Sequence, residues 1–121
     1  MNIFDKIIAS ETDAANFGFK WENPQQIKEQ ILSEVAEIDI HLQDKDQAKL
    51  QEEIGDLLHA VMSLTVFCGF DPEQTLTNSM YKFTRRLNAV KRLAAAEGLS
   101  SLNGKSFDEL MQFWKRVKEV E

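Results

Sequence analysis

Apolar residues recur every three or four positions along most of the chain, the spacing that places side chains on one face of a helix. This period predicts five helices, at about residues 2–17, 24–42, 47–68, 72–97 and 107–120. The breaks between them are short, and Gly18, Gly69 and Gly98 stand where three of the helices should end. Because no linker or internal repeat interrupts the series, we expect residues 1–121 to form one all-α domain, an antiparallel bundle of about five helices.

Helix-capping residues support the same boundaries. Asn23 and Asp71 each precede a proline, and this pair of N-cap and first-turn residue favours a helix start. Ser106 and Glu109 have the spacing of a capping box at the start of the last helix. The predicted starts therefore rest on hydrogen-bonding chemistry as well as on periodicity.

The composition agrees with a helical protein that has a real core. Of the 121 residues, 43% are hydrophobic, and only 5 Gly and 2 Pro are present, too few for the many turns of an all-β chain. The single cysteine, Cys68, excludes a disulfide framework and favours a reducing cytoplasm. We expect a soluble, non-exported protein, because the N-terminal segment lacks a secretory signal and no apolar run has the length of a membrane span.

The charge distribution narrows the classes of partner. A formal net charge of -6 argues against general binding to nucleic acid or to an anionic membrane. Between Glu73 and Glu97, however, there is no acidic residue, and five basic residues fall there: Lys82, Arg85, Arg86, Lys91 and Arg92. This asymmetry predicts a local anion site.

Two acidic pairs flank the apolar stripes of neighbouring helices. Glu34 and Glu37 lie beside the stripe of the second helix, and Glu53 and Asp56 lie on the corresponding flank of the third. Glu52 points nearly the opposite way. Because the connection is short, the two helices should be antiparallel neighbours, which brings both flanks to the same side of the pair.

The heights of the two pairs also match. Measured from Lys45, the inner acids are each eight residues away and the outer acids each eleven. Each pair spans about 4.5 Å along its axis, so the four carboxylates should form a compact, self-repelling cluster. An oxygen-binding cation such as Mg²⁺ or Mn²⁺ would neutralise it.

Other interpretations of these residues are weaker. A single acidic pair on an amphipathic helix is usually a solvated rim, but two symmetric pairs favour ligands. A di-iron bundle would need a Glu-x-x-His motif on each of two helices, and the chain offers only Asp56 with His59. His41, one turn after Glu37, is interpreted as a structural or surface residue rather than a ligand.

The third helix predicts self-association. Outside its main stripe it still carries four apolar residues, Ala60, Met62, Val66 and Phe67, so it is apolar nearly all round. A single thin bundle cannot bury such a helix on every side. We therefore expect a homodimer or a dimer of dimers, with this helix near the two-fold axis.

Together these motifs resemble a known family, the MazG-like nucleoside triphosphate pyrophosphohydrolases of the all-α NTP pyrophosphatase superfamily. The resemblance covers about residues 14 to 121 and includes "GFKW", the two acidic pairs, "EEIGDLL", "KFTRRL" and "WKRVK". It implies that Glu34, Glu37, Glu53 and Asp56 hold Mg²⁺, and that a metal-activated water cleaves a nucleoside triphosphate to the monophosphate and pyrophosphate. It also implies a dimer or higher oligomer of helix bundles, and such an activity would suit nucleotide-pool house-cleaning.

The resemblance also implies roles for residues in the last two helices. Lys82 and Arg86 match phosphate-binding positions, and both fall on one flank of the fourth helix, whereas Arg85 turns away. Trp114 and Lys118 match a tryptophan and a lysine that contact the nucleotide. Trp114 as a core residue and Lys118 as an exposed lysine are the alternatives.

One position departs from the family pattern. Members often have Asn two residues before the lysine of "KF", where this chain has Met80; Asn78 lies a full turn before Lys82 and only partly replaces it. Trp21 is a further candidate for stacking on the base, with loop packing as its alternative.

Related activities left open are phosphoribosyl-ATP and dUTP pyrophosphatases. A non-catalytic nucleotide- or metal-binding helical dimer is a third possibility.

Overall fold

The structure is a computed structural model that describes residues 1–121. It contains five α-helices and no β-strand: α1 (Ile3–Phe17), α2 (Pro24–Asp44), α3 (Gln47–Phe67), α4 (Pro72–Ala96) and α5 (Phe107–Glu119). The predicted all-α class and the number of helices are therefore confirmed.

The predicted caps make the expected hydrogen bonds. Asn23 Oδ1 accepts from the backbone N–H of Gln26 at 3.0 Å, and an Asp71 carboxylate oxygen accepts from the N–H of Gln74 at 2.8 Å. Ser106 and Glu109 form a reciprocal capping box, with both distances at 3.2 Å. Each side chain satisfies an N–H group that the first helical turn leaves unpaired, so the starts of α2, α4 and α5 are specified locally.

The end of α2 lies two residues beyond the predicted end near Leu42. The helix continues to Asp44, and Lys45 adopts the left-handed conformation with φ of 59°. Asp44 accepts a hydrogen bond from the N–H of Asp46 at 2.9 Å, and this bond is the main reason that the pKa of Asp44 is lowered. The Asp44 side chain therefore stabilises the turn between α2 and α3.

The chain divides into two compact units, Met1–Thr75 and Leu76–Glu121. In the first unit α1 and α2 both pack against α3. The residues of α2 that are most buried are Ile27, Glu34 and His41, each seven positions after the last. Since seven residues complete nearly two helical turns, these three side chains lie on one face, and that face is turned toward the interior.

The expected core face of α2 is confirmed only in part, because Ile27 of the apolar stripe is fully buried whereas other members of the stripe are exposed. The apolar stripe was expected to face the core with Glu34 and Glu37 at its edge, but Val35 is 41% exposed and Leu42 is 57% exposed. Glu34 is instead among the least exposed residues of the helix. The buried face of α2 is therefore shifted from the apolar stripe toward the acidic flank of the helix.

The buried residues of α3 are small. Ala60, Ser63 and Thr65 are at most 9% exposed, whereas Leu58 is 61% and Phe67 is 41% exposed. Small side chains allow neighbouring helices to approach closely, whereas Leu58 and Phe67 remain exposed. As predicted, a single chain leaves part of the apolar surface of α3 uncovered.

The second unit has its own core, between the C-terminal part of α4 and α5. Val90 and Ala94 pack with Phe113 and Val117, and Trp114 lies against this cluster. Arg116 donates to Glu97 at 2.9 Å beside it. The core of this unit thus comes from two helices joined by a ten-residue connection, residues 97–106.

Two further sequence expectations concern environment. No single helix combines the length and apolar composition needed to cross a bilayer. Only α3 and α4 taken together, bent at the break between them, reach that length and composition. Cys68 is a free, exposed thiol at the C-terminal cap of α3.

Candidate metal centre and anion-binding residues

The structure brings the four acidic residues of α2 and α3 together. Carboxylate oxygens of Glu34, Glu53 and Asp56 all lie within 4.8 Å of one another. Glu53 also belongs to a second group with Glu37 and His41 that meets the same distance limit. The expected convergence of the two pairs is therefore present, with Glu53 common to both groups.

Glu34 is the most enclosed of the four acids. It is 9% exposed, and its Oε1 accepts a hydrogen bond from Gln30 Nε2 at 2.8 Å. Its Oε2 is buried without a hydrogen-bond partner. A buried carboxylate oxygen without a partner is costly, since desolvation is not compensated by a donor or by a cation.

Glu53 carries the electrostatic consequence of this crowding. Its pKa is raised from 4.5 to about 6, chiefly by side-chain hydrogen bonding with Glu34. Desolvation and the charges of Glu34, Asp56 and Glu37 raise it further. Like charges placed together disfavour ionisation of one another. The folded chain therefore holds a concentration of negative charge that a bound cation would relieve.

The chemistry of these donors suits a hard divalent cation. Glu34, Glu37, Glu53 and Asp56 present only oxygen, the ligand atom that Mg²⁺ and Mn²⁺ favour. Glu37 and Asp56 are exposed, so the cluster is open to solvent and to a ligand. The unpartnered oxygen of Glu34 and the raised pKa of Glu53 both fit residues that hold a cation.

His41, which the sequence interpretation treated as a structural or surface residue, lies beside these acids. Its ring is almost enclosed, with the residue 9% exposed, and Nδ1 lies 3.1 Å from Asp44 Oδ2. The signal for its position was in the sequence. His41 lies seven residues after Glu34 and four after Glu37, so all three share one side of α2.

A cavity of about 620 Å³ lies in the first unit beside α1 and α3. Trp21 and Phe19 line it together with Glu11, His59 and Ser63. Glu11 Oε1 accepts from Ser63 Oγ at 2.6 Å and pairs with His59 Nε2 at 3.0 Å. The cavity therefore combines aromatic surface with a small polar group, the usual make-up of a small-molecule site.

The remaining predicted site residues lie in the second unit. The Arg86 guanidinium is 5.8 Å from the centre of the Trp114 ring, and Trp114 also contacts Phe83 with ring centres 5.8 Å apart. Trp114 is half-buried against the α5 core, so its core role and its contact with Arg86 coexist. The structure thus joins two of the predicted nucleotide-binding residues.

The other three predicted residues of this unit, Asn78, Lys82 and Lys118, have exposed side chains. Arg85 is also exposed, with 63% of its side chain accessible, whereas the Arg86 side chain is only 18% accessible. This difference agrees with the expectation that Arg85 turns toward solvent, and the role of Arg86 stays a prediction.

Comparison with known proteins places these features in a family context. The sequence profile of the MazG nucleotide pyrophosphohydrolase domain matches residues 22–91. That segment contains both acidic pairs, Lys82 and Arg86.

Individual relatives cover more of the chain. The "Nucleoside triphosphate pyrophosphohydrolase/pyrophosphatase MazG" of Thermotoga maritima is 32% identical over 108 residues, which is 89% of this chain. The "Nucleoside triphosphate pyrophosphohydrolase" of Escherichia coli K12 is 35% identical over 109 residues, or 88% of this chain. In both cases the chain spans 41% of the relative's length. The "Uncharacterized protein YabN" of Bacillus subtilis is 33% identical over 72 residues, covering 60% of this chain and 14% of that protein.

Proposed function

The chain belongs to the MazG nucleotide pyrophosphohydrolase family, and from that membership we propose that it hydrolyses a nucleoside triphosphate to the monophosphate and pyrophosphate with Mg²⁺ as cofactor. The observation that carries this proposal is the convergence of the acids of α2 and α3 around Glu53. The buried, unpartnered Oε2 of Glu34 supports it, because that oxygen lacks any other partner that would justify its burial.

Glu34, Glu37, Glu53 and Asp56 are assigned as the cation ligands. When bound, Mg²⁺ would neutralise phosphate charge and lower the pKa of a coordinated water. The chain's own contribution is to hold these oxygens close together on two packed helices before substrate arrives. Helical attachment keeps such ligands in place better than a loop would.

Lys82 and Arg86 are assigned to the phosphates, and Trp114, Lys118 and Asn78 to further contacts with the nucleotide. Cationic side chains of this kind offset the charge that develops on a departing pyrophosphate. Arg86 is the best organised of the set, because Trp114 lies beside its guanidinium and limits the positions that the side chain can take.

The cavity beside α1 and α3 is assigned to the nucleobase. Asp56 and Ser63 are seven residues apart on α3 and therefore lie on one side of that helix, about 10 Å apart along its axis. The acids and the cavity thus share one side of α3. The ring of Trp21 would offer a stacking surface for the base.

We also propose that the protein assembles as a homodimer or a dimer of dimers. Large apolar residues of α2 and α3 remain exposed in the single chain, among them Leu32 at 65%, Ile40 at 51% and Leu58 at 61%. Apolar surface on this scale is normally covered by a partner. A second copy of the same chain is the occupant that the all-round apolar character of α3 favours.

Pyrophosphate release from a panel of nucleoside triphosphates, with and without Mg²⁺, tests the activity. The panel should include dUTP and phosphoribosyl-ATP, so that the two related activities are distinguished from a general nucleoside triphosphate preference. We expect release that depends on Mg²⁺ and stops in Asp56→Asn. Absence of release with every substrate, in protein shown to bind Mg²⁺, would favour a non-catalytic binding module.

A further inference from the structure

His41 lies beside two of the acidic residues of the candidate metal centre. One of its ring nitrogens lies within 4.8 Å of carboxylate oxygens of both Glu37 and Glu53, which come from different helices. The residue is 9% exposed, although it lies in the last turn of α2, where a simple helix-end histidine would be solvated. The tertiary fold thus turns the ring toward the acids.

The His41 ring also has a carboxylate partner on its own helix. Nδ1 lies 3.1 Å from Asp44 Oδ2, a contact in which a protonated Nδ1 donates to the carboxylate. That contact leaves Nε2 to bind a cation. Histidines that bind metals commonly show this pattern, since a carboxylate that accepts from one nitrogen orients the ring and increases the basicity of the other.

A second, independent feature marks the same cluster as a binding site. Glu34 Oε2 is buried and unpartnered, and Glu34 shares Glu53 with the group that contains His41. The two groups are therefore one continuous cluster with two ends. One end, Glu34, Glu53 and Asp56, presents only oxygen, and the other, Glu37, His41 and Glu53, presents oxygen and nitrogen.

We propose that His41 is a nitrogen ligand for a second divalent cation, held with Glu37 and Glu53, and that this position selects Mn²⁺ over Mg²⁺. The inference rests on the proposed function, since it extends the same metal centre. The selectivity follows from ligand chemistry: Mg²⁺ is bound almost entirely by oxygen, whereas transition-metal ions accept imidazole readily. Asp44 is then a positioning residue that acts through His41.

The test uses Mn²⁺ alone with the full chain, followed by electron paramagnetic resonance with measurement of nitrogen coupling to the bound ion. The chain has 2 histidines, so an imidazole signal arises from His41 or His59. We expect nitrogen coupling in the wild type and in His59→Gln, and its loss in His41→Gln. His59 is a matched control because it also contacts a carboxylate, Glu11.

Affinities measured in the same samples give a second readout. We expect His41→Gln to weaken Mn²⁺ binding by about tenfold or more and Mg²⁺ binding by less than about threefold. Asp44→Asn should weaken Mn²⁺ binding less than His41→Gln does, and the nitrogen coupling should persist. This second variant keeps the proposal testable if His41→Gln fails to fold. Mn²⁺ bound to wild type without nitrogen coupling overturns the role of His41 and leaves the carboxylate site intact. No Mn²⁺ or Mg²⁺ binding at all overturns both this inference and the proposed cofactor.

Discussion

Arg86 donates to both carboxylate oxygens of Glu121: Nε lies 2.9 Å and 3.0 Å from the two oxygens, and an Nη atom lies 2.8 Å from one of them. The pair lowers the pKa of Glu121 and raises that of Arg86, in each case chiefly through these hydrogen bonds. An arginine fork of this geometry is well suited to phosphate as well as to carboxylate. Glu121 therefore occupies the donors that we assign to the substrate.

We expect Glu121→Gln to lower the KM for the triphosphate by about two- to fivefold with little change in kcat. The change removes a partially exposed competitor for Arg86, and exposed ion pairs of this kind are worth up to about 1 kcal/mol. Steady-state kinetics measure the effect. Glu119→Gln is the control, since Glu119 pairs at 4.0 Å with Lys115 rather than with Arg86. An unchanged KM in Glu121→Gln would count against a phosphate role for Arg86.

Neutralising the cation ligands should separate catalysis from folding. Glu53→Gln and Asp56→Asn keep nearly the same shape but remove a ligand charge, so Mg²⁺-dependent hydrolysis should fall by roughly a hundredfold or more. Circular dichroism should show an unchanged helical content. Glu52→Gln is the matched control, because Glu52 is exposed and belongs to neither group of acids. An equal loss in that control would mean that the acids act through general charge rather than as ligands.

The pH dependence of stability should reveal the crowding at Glu53 in metal-free protein. The pKa of Glu53 is about 6 in the folded chain against an ordinary 4.5, so the native state binds its proton more tightly than the unfolded state does. Between pH 4.5 and 6 the native state therefore carries more protons, and this group's contribution to the free energy of unfolding falls as the pH rises.

Thermal unfolding of wild type and Glu53→Gln across this pH range measures that contribution. The variant should be the more stable protein at pH 7 without metal, and its advantage should shrink as the pH falls through 6 toward 4.5. Saturating Mg²⁺ should stabilise the wild type at pH 7 and the variant much less. A constant difference between the two proteins at every pH would contradict a raised pKa at Glu53.

Light scattering across a dilution series checks the proposed assembly. We expect a mass of at least twice the 13.9 kDa of one chain, and a shift toward the monomer mass in Leu58→Lys, which places a charge in the exposed apolar surface of α3. Gln112→Lys adds the same charge at an exposed polar position of α5 and should leave the mass unchanged. A wild-type mass of 13.9 kDa with full activity would show that one chain suffices.

The helices and the alignment of the two acidic pairs could be predicted from the sequence. The starts of α2 and α5 depend on hydrogen bonds between residues three positions apart, so a local reading of Asn23 and Ser106 is sufficient. Helical spacing likewise places Glu34 and Asp56 at equal heights once a short connection makes α2 and α3 antiparallel. Both results follow from contacts near in sequence or from regular geometry.

The buried face of α2 and the position of His41 beside the acids depend instead on tertiary packing. Of the apolar stripe residues Ile27, Val35 and Leu42, only Ile27 is buried, and packing against α3 also buries Glu34 and His41. The pairing of Arg86 with Glu121, 35 residues later, could not be predicted from the sequence pattern either. Periodicity specifies the angle of each side chain about its own helix. The rotation of that helix against its neighbours is set by the packing of many side chains at once, which no single stretch of sequence contains.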